Sequence, residues 1–405
     1  MTYVAFTVSL IIPLLILGPF FPDLIVSLSS LVFLIYVFRD KLFFYFTKKP
    51  LIIFFIFCIY CILVSIFVAK DMMLSFESSL FYFRIGVFSC LIWYVLEQDK
   101  KILNYFYYAL VISFLALIID GYIQFFTGHN IVGLPKAGDR VSSFFGDELI
   151  MGSYVSRLFP LLFALFIVKE KKKLELNFIF FIFILLAGLI LISGERASFF
   201  FYILSFIFIL FFINGYAKFR IVLLVSSLII VLVITSNFDQ VKNRMFSSPA
   251  STISKSIFTP FHDSLIRTAY NMFLDKRLAG HGPKMFRVVC KDEKYATGVT
   301  PCMTSPHNFY IQLLAETGII GFGFLFIAFA YVLYCAYRQF KSIVLRRKRY
   351  LTDYQVCLLA GILITVWPIT SNGNFFNNWL MILYSLPVGF YLHSIYGKNR
   401  ENISF

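Results

Sequence analysis

Long apolar runs alternate with short polar gaps along most of the chain. Runs of about 18 or more apolar residues are long enough to cross a bilayer as helices. The predicted spans are residues 3–18, 23–38, 50–68, 79–96, 103–125, 149–168, 175–193, 197–213, 219–236, 316–337, 354–370 and 376–394. The pattern therefore predicts an all-α polytopic membrane protein with about twelve transmembrane helices.

Two of the polar gaps are too long to be simple turns. Residues 126–148 form a moderate loop, and residues 237–315 form a large loop with an amphipathic helix predicted over 263–274. Loops of this length in compact folds are usually functional. The chain therefore divides into spans one to nine over residues 1–236, the large loop, and spans ten to twelve with the C-terminal segment over residues 316–405.

Composition indicates a membrane protein, and the distribution of basic residues predicts its orientation in the membrane. Hydrophobic residues make up 60% of the chain and charged residues only 14%, which is more apolar surface than a soluble domain can bury. The net charge of +15 could indicate nucleic-acid binding, but the basic residues concentrate in alternate short gaps, as cytoplasmic loops do. Examples are Lys48 and Lys49, Lys100 and Lys101, Lys171 to Lys173, Lys218 and Arg220, and Arg346 to Arg349. Both termini are then cytoplasmic, both long loops face outwards, and no nucleic-acid partner is expected.

Residues 305–318 predict a short helix at the outward mouth of span ten. Ser305 suits the N-cap, Pro306 suits the first helical position, and Gly318 predicts a break. Polar residues recur every four positions and form one stripe, namely Asn308, Gln312 and Glu316. His307 falls in the first turn, where the helix dipole favours the neutral imidazole. We therefore expect His307 to accept a proton near pH 7.

Arginines near the outward ends of spans are not explained by the basic cytoplasmic gaps. Arg196 lies at the tip between spans seven and eight, Arg140 in the smaller loop, and Arg267 in the predicted amphipathic helix. Arg84 and Arg157 lie within or beside spans, where an ionisable group is a functional candidate. Any of these arginines could offer bidentate donors to a phosphate. The alternatives are snorkelling or pairing with Glu195 for Arg196, a solvated charge for Arg267, and pairing with nearby acids for the others.

Two cysteines lie in the large loop, and the other five fall in apolar spans. A bridge between Cys290 and Cys302 fits an oxidising compartment, and two unpaired thiols are the alternative. The histidines are scattered, without metal-ligand spacing, and no phosphate-binding or dinucleotide motif is present. The sequence therefore predicts neither a metal nor a cofactor.

Four stretches resemble the O-antigen ligase family and the related Wzy-type O-antigen polymerases. They are residues 193–198 with Arg196, residues 265–286 with Arg267, residues 307–318 with His307 and Asn308, and, more weakly, residues 140–152. In the last stretch Asp147 and Glu148 replace the small and Pro or Asn residues of the family. The likeness covers about residues 130–330, and the order of the stretches and their outward side agree with the family.

The resemblance implies an inverting glycosyltransferase of the bacterial inner membrane whose active site faces the periplasm. The donor would be a glycan on undecaprenyl diphosphate, the acceptor lipid A-core, and neither metal nor nucleotide sugar would take part. His307 would be the general base, while Arg196 and Arg267 would stabilise the diphosphate. Substrate-binding roles are expected for Arg140, Asn308, Tyr310, Gln312 and Arg84.

Two other functions remain open at this stage. A repeat-unit polymerase would use the same donor but a second lipid-linked glycan as acceptor; the ligase is favoured because the arginine and His-Asn pattern is stronger in that branch of the family. A transporter of lipid-linked glycan would explain the spans and the basic gaps. It would not explain a large outward loop that ends in a histidine at a helix mouth.

Overall fold

The computed structural model describes residues 2–99, 101–169, 173–247 and 259–398, and the described residues form α-helices without a β-strand. The helices are α1 Thr2–Ser9, α2 Ile11–Leu17, α3 Phe20–Arg39, α4 Lys49–Phe67, α5 Met72–Leu80, α6 Arg84–Gln98, α7 Ile102–Thr127, α8 Met151–Val168, α9 Lys173–Ile192, α10 Arg196–Phe212, α11 Ala217–Asn237, α12 Asp239–Lys242, α13 Pro260–Asp275, α14 Phe286–Val289, α15 Phe309–Val344, α16 Asp353–Thr365 and α17 Asn378–Tyr396. Part of the large loop, the C-terminal segment after residue 398 and the predicted cytoplasmic residues Lys100, Lys171 and Lys172 lie outside the described residues.

Each predicted span coincides with a helix or a pair of helices, so the all-α polytopic prediction is confirmed. Among the described residues, eight helical segments are long and apolar enough to cross a membrane, with α5 and α6 counted together as one of them. Three shorter apolar segments accompany them, with α1 and α2 counted together. The first span differs from its prediction because it is broken between α1 and α2. Pro13 explains the break: it has no N–H to donate to Ser9, and its ring crowds the carbonyl of that residue.

The bundle is organised around α8, which is buried on nearly all faces. It packs against α10 and α16, while α6 packs along α17. Phe159 of α8 contacts Phe183 and Tyr202 edge-on, with ring centroids 5.4 and 4.9 Å apart. A helix that is apolar all round belongs in the interior of a bundle, and α8 occupies that position.

The predicted cytoplasmic gaps meet at one end of the bundle. The Glu97 carboxylate accepts hydrogen bonds from the Tyr45 hydroxyl, from Trp93 Nε1 at 2.9 Å and from the Lys398 N–H at 2.9 Å. At the same end, Asp353 accepts hydrogen bonds from the N–H groups of residues 214 and 215, at 2.8 and 2.7 Å. These contacts join gaps that the charge pattern places on one side of the membrane.

The large loop contains the predicted amphipathic helix, which is α13. Thr259 caps it, since its hydroxyl accepts the N–H of His262. Leu265, Ala269 and Met272 of α13 are buried in a small core that is separate from the core of the bundle. The loop is therefore a folded unit that rests on the helix ends.

The predicted break at Gly318 is also confirmed, within the long helix α15. Gly318 has φ 65° and ψ −167°, and a Cβ there would come within 2.1 Å of the Leu278 carbonyl oxygen. Loop residues 277–282 dock on this break: Ile319 N–H donates to the Arg277 carbonyl at 2.9 Å, and Gly282 N–H donates to the Glu316 carbonyl at 2.7 Å. Only glycine allows this close approach of two backbones.

Candidate active site

A cavity of about 1250 Å³ opens among the gaps that the sequence predicts to face outwards. Its lining comes from the turn after α2, the 128–150 loop, the tip between α9 and α10, the large loop, and the segment between α16 and α17. The charged and titratable lining residues are Arg140, Arg157, Arg196, Arg244, Arg287, His262, His307, Glu148 and Glu195. Arginines outnumber carboxylates in this lining, so the cavity favours an anionic ligand.

His307 lies in this cavity, but not in a helix, so the predicted helix start at Ser305 and Pro306 is wrong. Helix α15 begins at Phe309, and the Asn308 side-chain oxygen accepts the N–H groups of residues 310 and 311 at 3.0 and 3.1 Å. Asn308 therefore satisfies the free N–H groups that Ser305 was expected to satisfy. His307 precedes this cap with a positive φ of 56°, and its carbonyl accepts the Asn372 N–H at 2.8 Å.

The His307 imidazole is half-buried, and burial lowers its pKa below the ordinary value of 6.5. The backbone of Asn372 acts in the opposite direction, with a smaller effect on that pKa. The ring of His262 lies beside it, with ring centroids 6.0 Å apart. The neutral form is therefore favoured, as predicted, but the cause is loss of solvent around the ring and not the dipole of a helix.

Three arginines surround the tip between α9 and α10 and bind backbone carbonyls. Arg196 donates from Nε and Nη2 to the Arg244 carbonyl at 2.8 and 2.5 Å. Arg244 Nε donates to the Gly194 carbonyl at 3.4 Å, and Arg140 Nε donates to the Ser193 carbonyl at 3.3 Å. Within the described ranges none of the three is ion-paired within 4.0 Å. Their charges are therefore available to a ligand.

His307, Arg196, Arg244 and part of the cavity lining fall in a region that is similar to a known family. Residues 180–327 match the family model of the O-antigen ligase. Over these residues the chain is similar to the O-antigen ligase family. The match runs from α9 into α15, so it includes the α9–α10 tip, the large loop and His307. It supports a ligase or polymerase type of function in general, and no curated protein matches the chain.

Glu195 holds the tip between α9 and α10 against α8 and does not pair with Arg196. Its carboxylate accepts the N–H of Gly152 at 2.7 Å, the N–H of Ser153 at 3.0 Å and the hydroxyl of Ser198 at 2.8 Å. The first N–H groups of a helix have no acceptor within the helix, and Glu195 supplies the acceptor for two such groups of α8. Burial raises the pKa of Glu195 to about 6.

We expect Glu195→Ala to lower the free energy of unfolding by about 1–3 kcal/mol, because it leaves the N–H groups of Gly152 and Ser153 without their acceptor. Glu195→Gln is the matched control, since its amide oxygen keeps one of the two acceptors and the loss should be smaller. Thermal unfolding of the detergent-solubilised protein measures both variants. Equal stability of Glu195→Ala and wild type would contradict this structural role.

Two further predicted arginines do not line the cavity. Arg84 is ion-paired with Asp23 at 2.5 Å and donates to the Ser27 hydroxyl at 2.7 Å, so its donors are engaged within the bundle. Arg267 is ion-paired with Asp263 at 2.7 Å, and its side chain is 62% exposed. Its neighbour Ile266 does line the cavity, whereas Arg267 is not among the lining residues.

The side chains of the predicted polar stripe bind other residues of the protein. Gln312 Nε2 donates to Glu316 Oε2 at 2.9 Å and to Asn374 Oδ1 at 3.1 Å. Glu316 also accepts the N–H of residue 286 at 2.9 Å, and the Tyr310 hydroxyl donates to the carbonyl of residue 366. Of the stripe and its neighbours, Asn308 lines the cavity, whereas Tyr310 and Gln312 are buried and hold the surrounding segments in place.

The sulfur atoms of Cys290 and Cys302 are joined in the structure, with their Cα atoms 5.1 Å apart. The bridge ties α14, which carries Arg287, to the segment that leads to His307. Arg287 Nη2 donates to the Thr304 carbonyl at 3.3 Å, across the same junction. The pairing therefore fixes one wall of the cavity, in agreement with the pairing expected from the compartment.

The smaller loop is anchored to α7 by two buried polar side chains. Gln124 Oε1 accepts the N–H groups of Ser142 and Ser143 at 3.0 and 2.7 Å, and Asp120 accepts the N–H of Ile131 at 2.8 Å. These bonds hold the loop over the helix end. They position Arg140, which lies in the same loop, at the cavity.

Sequence reasoning missed two contributors to the site. Arg244 lies shortly after span nine on the outward side, and the argument that singled out Arg196 applies to it equally. The segment between α16 and α17 contributes Asn372, Asn374 and Asn377 to the lining. A cluster of asparagines in a short outward gap was the available signal.

Proposed function

We propose that the protein is an O-antigen ligase that transfers a glycan from undecaprenyl diphosphate to a sugar of lipid A-core, on the periplasmic face of the bacterial inner membrane. One observation carries the proposal: a half-buried histidine shares a cavity with several arginines that have no acidic partner within the described residues. Glycan transfer from a lipid diphosphate needs a base for the acceptor and cations for the leaving group.

In the proposed reaction, His307 accepts the proton of an acceptor hydroxyl. The hydroxyl oxygen then attacks the anomeric carbon of the donor, and the bond between that carbon and the diphosphate oxygen breaks. The diphosphate leaves with the electron pair, and Arg196, Arg244 and Arg140 stabilise its negative charge. A single displacement inverts the configuration at the anomeric carbon.

Arg267 keeps a proposed role in donor binding, which rests on the family resemblance. Its guanidinium would have to leave Asp263 and turn towards the cavity, which its helix neighbour Ile266 lines. Asn308 keeps a proposed contact with substrate through its place in the lining. Arg84, Tyr310 and Gln312 have no part in the proposal, because their polar atoms bind other residues of the protein.

The test is the surface glycan of a strain deleted for this gene, compared on a gel with the same strain restored by wild type. Long glycan that accumulates on undecaprenyl diphosphate while lipid A-core stays bare supports the ligase. Core that carries a single repeat and no ladder identifies a polymerase instead. Loss of transfer to core in the deleted strain, with the lipid-linked glycan held on the cytoplasmic face, identifies a transporter.

The pH dependence of kcat/KM tests the base. The lowered pKa of His307 keeps the imidazole neutral at pH values where an ordinary histidine is half protonated, so activity should persist to below pH 6.5. Activity should then fall as the pH drops through the lowered pKa. Transfer assays with purified protein between pH 4.5 and 8 measure the acidic limb. An acidic limb that lies above pH 6.5 would contradict a buried neutral base.

A further inference from the structure

Arg157 lies at the inner end of the cavity, on the enclosed helix α8. Its residue is 3% exposed, and it lies six positions, or about 9 Å along the helix axis, beyond Met151. Nη2 donates to Asn372 Oδ1 at 2.7 Å. The guanidinium carbon lies 4.5 Å from the ring centroids of Phe201 and of Tyr384. Arg157 is therefore fixed in place as well as buried.

The Arg157 guanidinium has no acid in direct contact among the described residues, in contrast to that of Arg84, and Glu195 acts on it only from a longer distance. Arg84 has its own counter-ion in Asp23, whereas the described residues place no carboxylate within 4.0 Å of Arg157. Glu195 is engaged by the start of α8 and by Ser198. Two aromatic faces offset only part of the loss of water around a buried cation. A buried arginine of this kind in a membrane protein indicates that a ligand supplies the negative charge.

Two of the donor contacts of Arg157 are long enough to be exchanged for a ligand. Nε lies 3.4 Å from the Ser153 hydroxyl, and Nη1 lies 3.5 Å from the Ile364 carbonyl. Both distances exceed those of ordinary N–H···O bonds. A phosphate oxygen could take these donors while the short bond to Asn372 stays in place.

A second cavity, of about 280 Å³ and almost wholly apolar, lies next to this position. It runs between α4, α6, α15 and α17, and its aromatic lining residues are Phe54, Phe57, Tyr82, Phe309, Phe324, Phe375 and Tyr384. Tyr384 lines both cavities. Arg157 therefore packs on one face of Tyr384, and this tyrosine lies between the large cavity, which is rich in arginines, and the apolar cavity. This arrangement fits a molecule whose anionic head is joined directly to a hydrocarbon chain.

We propose that Arg157 binds the phosphate group of a single-chain lipid phosphate, of the polyprenyl kind, whose chain enters the apolar pocket beside Tyr384. The inference rests on the proposed function, in which the donor is a polyprenyl diphosphate. The small volume of the pocket accepts one chain and not the several acyl chains of a phosphorylated glycolipid. Arg157 then sets the depth at which the donor is held.

Arg157 is also joined to the proposed base through one residue. The side chain of Asn372 accepts from Arg157, and its backbone N–H donates to the His307 carbonyl at 2.8 Å. The phosphate position and the base are therefore held at a fixed separation by Asn372. Arg157 both binds the lipid phosphate and positions the donor relative to His307.

The test is equilibrium binding to the purified full-length protein in detergent, with three probes. They are a polyprenyl diphosphate, the polyprenol of the same length, and a multi-acyl phosphorylated glycolipid. The measured quantity is the ratio of the polyprenol Kd to the diphosphate Kd. Arg157→Gln should lower this ratio at least tenfold with little change in polyprenol affinity, and Arg157→Lys should lower it less. Arg84→Gln is the matched control and should leave the ratio unchanged.

The outcomes separate this inference from the proposed function. A wild-type protein that does not prefer diphosphate to polyprenol contradicts the proposed donor itself. If Arg157→Gln retains the full preference of the wild type for diphosphate while Arg196→Ala loses it, the proposed role of Arg157 is overturned. The proposed donor is then still supported. Equally tight, Arg157-dependent binding of the multi-acyl glycolipid overturns the assignment to a single-chain lipid. Retained polyprenol affinity in Arg157→Gln shows that the variant is folded.

Discussion

Replacement of His307 by alanine is expected to lower the rate of glycan transfer by about 10²–10⁴-fold, because the acceptor hydroxyl loses the group that takes its proton. The fold should persist, since the Asn372 bond to residue 307 involves the backbone carbonyl and not the imidazole. The rate is measured with purified protein, a lipid-linked donor and lipid A-core, and the surface ladder of a restored deletion strain reports the same loss.

His129→Ala is the matched control for this prediction. His129 is exposed in the smaller loop on the cavity side and does not line the cavity, so its loss should leave the rate within about twofold of wild type. If His307→Ala restores the full ladder in the deletion strain, the proposed base is wrong. The hypothesis of a transporter of lipid-linked glycan then becomes stronger.

Arg196→Ala should lower the rate by about 10²–10³-fold, the usual cost of one lost donor to a developing anion. The loss has a second source, because the Arg196 fork also holds the Arg244 carbonyl. Arg196→Lys keeps the charge but offers a single point of contact, so its rate should fall between those of wild type and Arg196→Ala. The same transfer assay ranks the three proteins.

Arg39→Ala supplies the control, since Arg39 is exposed at the end of α3, is paired with Asp40 and lies outside the cavity. Its rate should match wild type. Equal rates for Arg196→Ala and Arg39→Ala would remove Arg196 from the proposed site. A rate for Arg196→Lys as low as that for Arg196→Ala would show that the geometry of the fork matters more than its charge.

The sequence predicts the helices of this protein well because hydrocarbon imposes one solution on the backbone. Every N–H and C=O inside a bilayer must find its partner within the protein, and a helix provides all of them within one segment, so a long apolar run predicts a helix such as α7 or α11. The alternation of basic gaps also predicts which gaps lie together at each end of the bundle. The contacts of Glu97 at one end and the lining of the large cavity at the other agree with this grouping. The break between α1 and α2 depends on one residue, Pro13, which does not change the apolar character of the run.

The sequence predicts the site less completely because its members meet only in the folded chain. Ser305 and Asn308 are both good caps, and what favours Asn308 is contact with residues 368 and 370, which lie 60 or more positions away. The same holds for Arg84 and Arg157. Both are arginines within or beside spans, yet only the fold shows that one has Asp23 as its counter-ion and the other faces a cavity.

The break in α15 at Gly318 has a consequence for biosynthesis. Backbone groups of residues 277–282 bond to the turn around Gly318, and these loop residues precede α15 in the chain. They therefore leave the ribosome before span ten does. On the outward topology that the charge pattern predicts, we expect these loop residues to cross the membrane first and to bond to α15 as it is inserted.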